Sequence, residues 1–107
     1  MRRLMIAAVA GFVSIGTASA QDWPNRTITL IVPFAPGGGV DASARIQALH
    51  MSELLGQSII VENVGAAAGQ AGSSRVAKSP PDGYTFMIGN SGTHAYSQAL
   101  YKKPMYN

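Results

Sequence analysis

Cysteine is absent from all 107 residues. That excludes the disulfide staples on which small exported domains often depend, and it excludes thiolate metal sites. Charge is also sparse, at 12% of the chain, and only two histidines occur, His50 and His94. No run of His, Asp and Glu has the spacing of a metal site, so no metal is expected. The basic residues are scattered and form no stripe of the kind a nucleic-acid partner needs. A sequence pI near 9.6 suggests otherwise, but two of the cations, Arg2 and Arg3, sit at the extreme amino terminus. From Gln21 onward, Arg26, Arg45, Arg75, Lys78, Lys102 and Lys103 stand against Asp22, Asp41, Glu53, Glu62 and Asp82, which is close to neutral.

Long apolar runs are missing too, with one exception. Leu4 to Ile15 is an apolar stretch of about a dozen residues, too short to hold a stable membrane span. Arg2 and Arg3 precede it, and Ala18, Ser19 and Ala20 follow it. This is the order of a secretory signal peptide. Residues 1–20 are therefore expected to be a leader cleaved between Ala20 and Gln21, and the mature chain is expected to be exported and not membrane-inserted. With no disulfide and so few residues, a domain of this size buries only about 60% of its unfolded surface. The chain reads as part of a longer protein.

The remaining sequence alternates between short apolar runs and segments of helical period. Ile28 to Phe34 is rich in branched side chains, as in a strand covered on both faces. Ala44, Ala48, Met51 and Leu55 fall on one face of a helix predicted over Val40 to Leu55, with Gly56 at its carboxyl cap. Ile59 to Val61 is a second strand. Gly65 to Gly72 is expected to be a loop, Ser73 to Lys78 a short helix stopped by Pro80 and Pro81, and Tyr84 to Ile88 a third strand. Strand, helix, strand, helix, strand without hairpin connections predicts an α/β fold with a parallel sheet. Ligands of such sheets bind beyond the carboxyl ends of the strands, here Ala35 to Asp41, Asn63 to Gly72 and Gly89 to His94.

Pro36, Gly37, Gly38, Gly39, Val40 and Asp41 are the strongest local signal. Glycines between a strand and a helix let a ligand approach the backbone, and free N–H groups at the helix start favour an anion. The same residues also suit a tight strand-to-helix turn with Asp41 capping the helix. Two rival chemistries can be read from the sequence. Gly37, Gly39 and Ala42 fit G-x-G-x-x-A, a dinucleotide fingerprint, with Glu62 about twenty residues on; Asp41 would then set a negative charge beside the pyrophosphate. Ser91, His94 and Asp41 could form an exported hydrolase, but Thr93 occupies the last glycine of G-x-S-x-G. Ser91, Thr93 and His94 otherwise offer hydrogen bonds to a carboxylate. Arg45 either helps with an anion or pairs with an acid one turn away.

Taken together, Trp23-Pro24, ITLIVPFAPGGGVD from Ile28 to Asp41, LGQSIIVEN from Leu55 to Asn63, PPDGYTFMIG from Pro80 to Gly89 and SGTHA from Ser91 to Ala95 resemble the substrate-binding proteins of tripartite tricarboxylate transporters, the Bug family. Two positions depart from that family's pattern: Asn63-Val64-Gly65-Ala66 stands where it commonly has Asn-Arg-Pro-Gly, and Val40 where it often has threonine. The resemblance implies the first α/β domain of a two-domain periplasmic Venus-flytrap receptor, with the second domain absent from residues 21–107. It implies a non-enzymatic protein without a cofactor that captures a small carboxylate and delivers it to membrane subunits of the transporter. By motif position, Phe34, Gly37, Gly38 and Gly39 would line one wall and give backbone N–H contacts to the carboxylate, Asp41 would cap the helix and hold that loop, and Ser91, Thr93 and His94 would form the neighbouring wall. Alone, this stretch is expected to bind weakly.

Overall fold

The computed structural model describes residues 22–106, so the expected leader and the Ala20–Gln21 junction lie outside the described residues. Three strands, β1 (Ile28–Val32), β2 (Ile59–Asn63) and β3 (Thr85–Met87), form a parallel sheet in the order β2-β1-β3. In register, Leu30 lies opposite Val61 on one side and Phe86 on the other. β1 is central, and Ile28, Leu30, Ile31 and Val32 are all buried. Burying a side chain of this size contributes about 1.5–3 kcal/mol.

The long helix α1 (Gly39–Leu55) covers the face carrying Leu30 and Val32. Its contact residues are Ala44 and Ala48, whose small side chains let the helix approach the sheet closely, with Val40, Phe34, Ile59, Val61, Phe86 and Ile88 packed around them. Gly56 ends the helix at φ +67, and its N–H donates to the Ser52 carbonyl, the expected glycine cap. On the other face lies α2 (Gln70–Ala77), whose Gly72 sits against Pro33 so tightly that a Cβ there would fall 2.8 Å from the Pro33 Cβ. Arg75 of α2 pairs with Glu62 of β2 at 2.6 Å.

Several boundaries differ from the sequence expectation: β2 runs on to Asn63, and β3 is confined to Thr85–Met87. β1 stops at Val32 because Pro33 has no N–H to continue the ladder. The segment expected as a loop over 65–72 contains a 3₁₀ turn, Ala67–Gly69, and the start of α2. The stretch after β3 coils into a π-helical turn, Gly92–Tyr96, followed by α3 (Ser97–Leu100). Beyond α3 the chain returns to the body: the Met105 N–H donates to Gln70 Oε1 at 3.0 Å, and the Tyr106 hydroxyl donates to the Thr93 carbonyl. No helix among the described residues is long and apolar enough to cross a membrane.

The strand order places β1 between a neighbour reached in one direction and a neighbour reached in the other. Such a reversal opens a crevice at the carboxyl ends of the two strands involved, β1 and β3. The glycine loop leaves one of these strands and Gly89 to His94 follows the other.

Candidate functional site

The glycine loop is exposed throughout Gly37, Gly38 and Gly39. Gly37 has φ +86, a conformation that side-chain-bearing residues rarely adopt, so the bend itself requires glycine there. Gly38 has φ −80 and ψ 171, which any residue can adopt, and a Cβ built on it meets only the Ala35 carbonyl, at 3.8 Å. Around Gly39 a Cβ would meet nothing within 4 Å. These two glycines are therefore not demanded by local packing, and they leave a bare approach to the helix start. The N–H groups of Gly39 and Val40 open α1 and have no carbonyl four residues back within it. Together with the helix dipole they favour an anion.

Asp41 does not occupy the N-cap position, which belongs to Gly38. It sits in the first turn, buried, and reaches backward so that the Gly37 N–H donates to its Oδ2 at 2.8 Å. Asn63 Nδ2 donates to Asp41 Oδ1 at 2.9 Å, and Arg45 Nε donates to Oδ2 at 3.2 Å. These donors, the Gly37 amide first, then Asn63 and then Arg45, hold the Asp41 carboxyl at a pKa of about 2 against an ordinary value of 3.8. Asn63 also donates to the Phe34 carbonyl at 3.2 Å, and its Oδ1 accepts from Arg45 Nη2 at 3.1 Å. Of the two roles considered for Arg45, the structure places it with the acid one turn away. Asn63 was not singled out by the sequence. Its signal is a lone amide at the end of an apolar strand, level with the loop it supports.

After β3, Asn90 and Thr93 cap one another. The Asn90 N–H donates to Thr93 Oγ1 at 3.0 Å and the Thr93 N–H donates to Asn90 Oδ1 at 3.1 Å. Thr93 is fully buried, and its hydroxyl also lies 2.8 Å from His94 Nδ1. The hydroxyl is thus engaged locally. His94 lies over Gly89, where a Cβ would collide with its ring at 1.9 Å. Gly89, Asn90, Ser91 and His94 line an open depression of about 280 Å³. Among the described residues, the Ser91 hydroxyl, His94 Nε2 and Asn90 Nδ2 make no hydrogen bond, so these are the side-chain polar groups this wall can offer.

The loops meet at Gly69. It has φ +90, and a Cβ on it would lie 2.7 Å from Thr93 Cγ2, 3.4 Å from the Pro33 carbonyl oxygen and 3.5 Å from Phe34 Cε1. Gly65 is pressed against the first loop in the same way, its would-be Cβ 2.8 Å from the Ala35 nitrogen. Phe34 and Thr93 are thereby brought to one junction, with Gly37 and Asp41 joined on one side and His94 on the other.

Neither rival chemistry gains support from this geometry. A pyrophosphate at the start of α1 would meet the Asp41 carboxylate, whose low pKa keeps it charged. Thr93, and not Ser91, is the hydroxyl beside His94 Nδ1, so a Ser-His pair is not assembled. Among the described residues no three His, Asp or Glu side chains group as metal ligands.

The family model for the tripartite tricarboxylate transporter family receptor matches residues 43–107. A protein encoded between tcbD and tcbE in Pseudomonas sp. strain P51 is 44% identical over 94 residues, which is 85% of this chain and 28% of that protein. Two solved structures from Rhodopseudomonas palustris superpose with a TM-score of 0.76. Rpa4515, determined with adipate, is 46% identical over 80% of this chain and 29% of its own. MatC, determined with bound malate, is 44% identical over 78% of this chain and 29% of its own. The chain spans under a third of the length of these proteins. Its parallel sheet, its glycine loop at the β1–β3 crevice and the match over residues 43–107 lead to one conclusion: this chain belongs to the tripartite tricarboxylate transporter receptor family, a family of solute-binding receptors and not of enzymes.

Proposed function

We propose that residues 21–107 contribute one wall of a periplasmic receptor that captures a small carboxylate and hands it to the membrane subunits of a tripartite tricarboxylate-type transporter, after a leader of residues 1–20 has directed export. The observation that carries the reading is the convergence of three strand-end loops at Gly69, with the bare Gly38-Gly39 backbone and the start of α1 open beside it. The N–H groups of Gly39 and Val40 receive the carboxylate, and Gly38 leaves it room. Phe34 supplies an apolar surface at the junction. Gly37 and Asp41 fix the loop, Thr93 fixes the adjoining turn, and Ser91 and His94 present hydrogen-bonding groups from the second side. Malate and adipate, the ligands of the two Rhodopseudomonas palustris proteins, are both small dicarboxylic acids, which supports this ligand class.

One wall leaves an anion largely hydrated, because tight pockets bury most of their ligand. The opposing wall is assigned to a second domain lying in the length that the relatives carry beyond the match. The test is a chimera in which residues 22–106 replace the equivalent stretch of MatC, titrated calorimetrically with mono-, di- and tricarboxylates. Saturable binding of at least one small carboxylate is expected, with none by residues 21–107 alone. A folded chimera that binds no carboxylate would overturn the reading, and micromolar binding by the isolated stretch would overturn its one-wall form.

A further inference from the structure

Asn63 ends β2, on the far side of β1 from the crevice, yet its amide reaches three partners belonging to the ligand loop and its helix. It donates to the Phe34 carbonyl at 3.2 Å and to Asp41 Oδ1 at 2.9 Å, and it accepts from Arg45 Nη2 at 3.1 Å. Asp41 in turn holds the Gly37 N–H at 2.8 Å. The path from β2 to the glycine loop is therefore a continuous chain of hydrogen bonds, and Asn63 is its only member outside the loop and α1. An amide is the side chain that suits this place, since it must donate twice on one side and accept on the other.

We infer that Asn63 is a positioning residue for carboxylate capture, setting the glycine loop in its anion-receiving shape through Asp41 without touching the ligand. This rests on the proposed carboxylate site. The electrostatics give the same direction as the geometry. A buried carboxylate close to an anion site repels the ligand unless its charge is met by donors; Asn63 meets it at Oδ1, the oxygen that Gly37 leaves free, and Arg45 Nε lies within 3.2 Å of both oxygens. The charged groups facing Asn63 are Asp41 and Arg45 of α1. Glu62, next to it on β2, is paired with Arg75 of α2 at 2.6 Å.

Asn63→Asp keeps the shape and replaces the donating NH₂ with an oxygen. Above the pKa of the new carboxyl, two carboxylates face each other and the tie to Asp41 is lost; below it, the protonated carboxyl donates and the tie returns. In the MatC chimera at pH 8, malate affinity is expected to fall about tenfold or more, the equivalent of one pKa unit of coupling. The ratio of variant to unsubstituted affinity is expected to recover several-fold by pH 5, malate's own ionisation cancelling in that ratio. Should Asn63→Asp alone fold poorly, Asn63→Asp with Asp41→Asn exchanges acid and amide, and this pair is expected to regain part of the affinity at pH 8. A ratio within twofold of one at every pH, or a loss that neither pH nor the exchange relieves, would overturn the inference and leave the carboxylate reading standing. No malate binding by the unsubstituted chimera would remove the reading and the inference together.

Discussion

Asp41 and Gly37 are tied across the start of α1 by a 2.8 Å hydrogen bond in which the glycine N–H donates to the carboxylate. Gly37 is also the residue at φ +86. The contact therefore closes over the one sharp bend of the loop, and it uses up that amide. What remains for an anion lies further along, at Gly39 and Val40.

This contact makes a prediction in acid. The folded-state pKa of Asp41, about 2, is below its ordinary 3.8, so the unfolded chain binds more protons in between. The stabilisation is present in full above about pH 4 and is lost as the pH falls through about 2. Comparing denaturant unfolding of the unsubstituted protein with Asp41→Asn should show a stability difference that shrinks across this window. A difference independent of pH from 5 to 2 would mean that the carboxylate is not held as described.

Close packing at Gly72 makes a second prediction. A Cβ there falls 2.8 Å from Pro33 Cβ and 2.9 Å from Pro33 Cα, and a backbone atom cannot move aside cheaply. Gly72→Ala should destabilise by about 1–3 kcal/mol, the usual cost of overpacking, despite the better helix propensity of alanine. Thermal unfolding that is unchanged or raised would show that α2 does not press on Pro33.

The sheet was legible because β1 is almost wholly apolar and α1 repeats its small apolar residues at helical spacing. Its ligand end was legible because parallel strands bind beyond their carboxyl ends and the three glycines stand there. The start of α2 was not legible. Ala67 and Ala68 take positive φ, so the turn is set by how Gly65 and Gly69 seat on the first loop and not by local preference. Nor was the helical stretch from Gly92 to Leu100, which is too short to show a period and is fixed by the Asn90–Thr93 cap and by Tyr106 returning to the Thr93 carbonyl. Asn63 escaped notice because its three contacts depend on the pairing of β2 with β1. Its immediate sequence shows a lone amide at a strand end and does not name its partners.

Export makes a third prediction, from the order of Arg2, Arg3, the apolar run and Ala18-Ser19-Ala20. The chain recovered from a periplasmic extract should have the mass of a polypeptide beginning at Gln21, with or without cyclisation of that glutamine. An uncleaved chain held in the membrane fraction would refute the leader assignment.

The central claim is that the glycine backbone receives the carboxylate, and Gly38→Val in the MatC chimera tests it most directly. Gly38 is in an extended conformation, and a Cβ on it meets only the Ala35 carbonyl oxygen, at an ordinary contact distance of 3.8 Å, so the substitution should leave the fold intact while filling the approach to the start of α1. Calorimetric titration with malate should show a loss of at least about 1.4 kcal/mol, a factor of ten in Kd, with the melting temperature of the free protein little changed. An unchanged Kd in a folded Gly38→Val receptor would contradict the account and place the anion elsewhere.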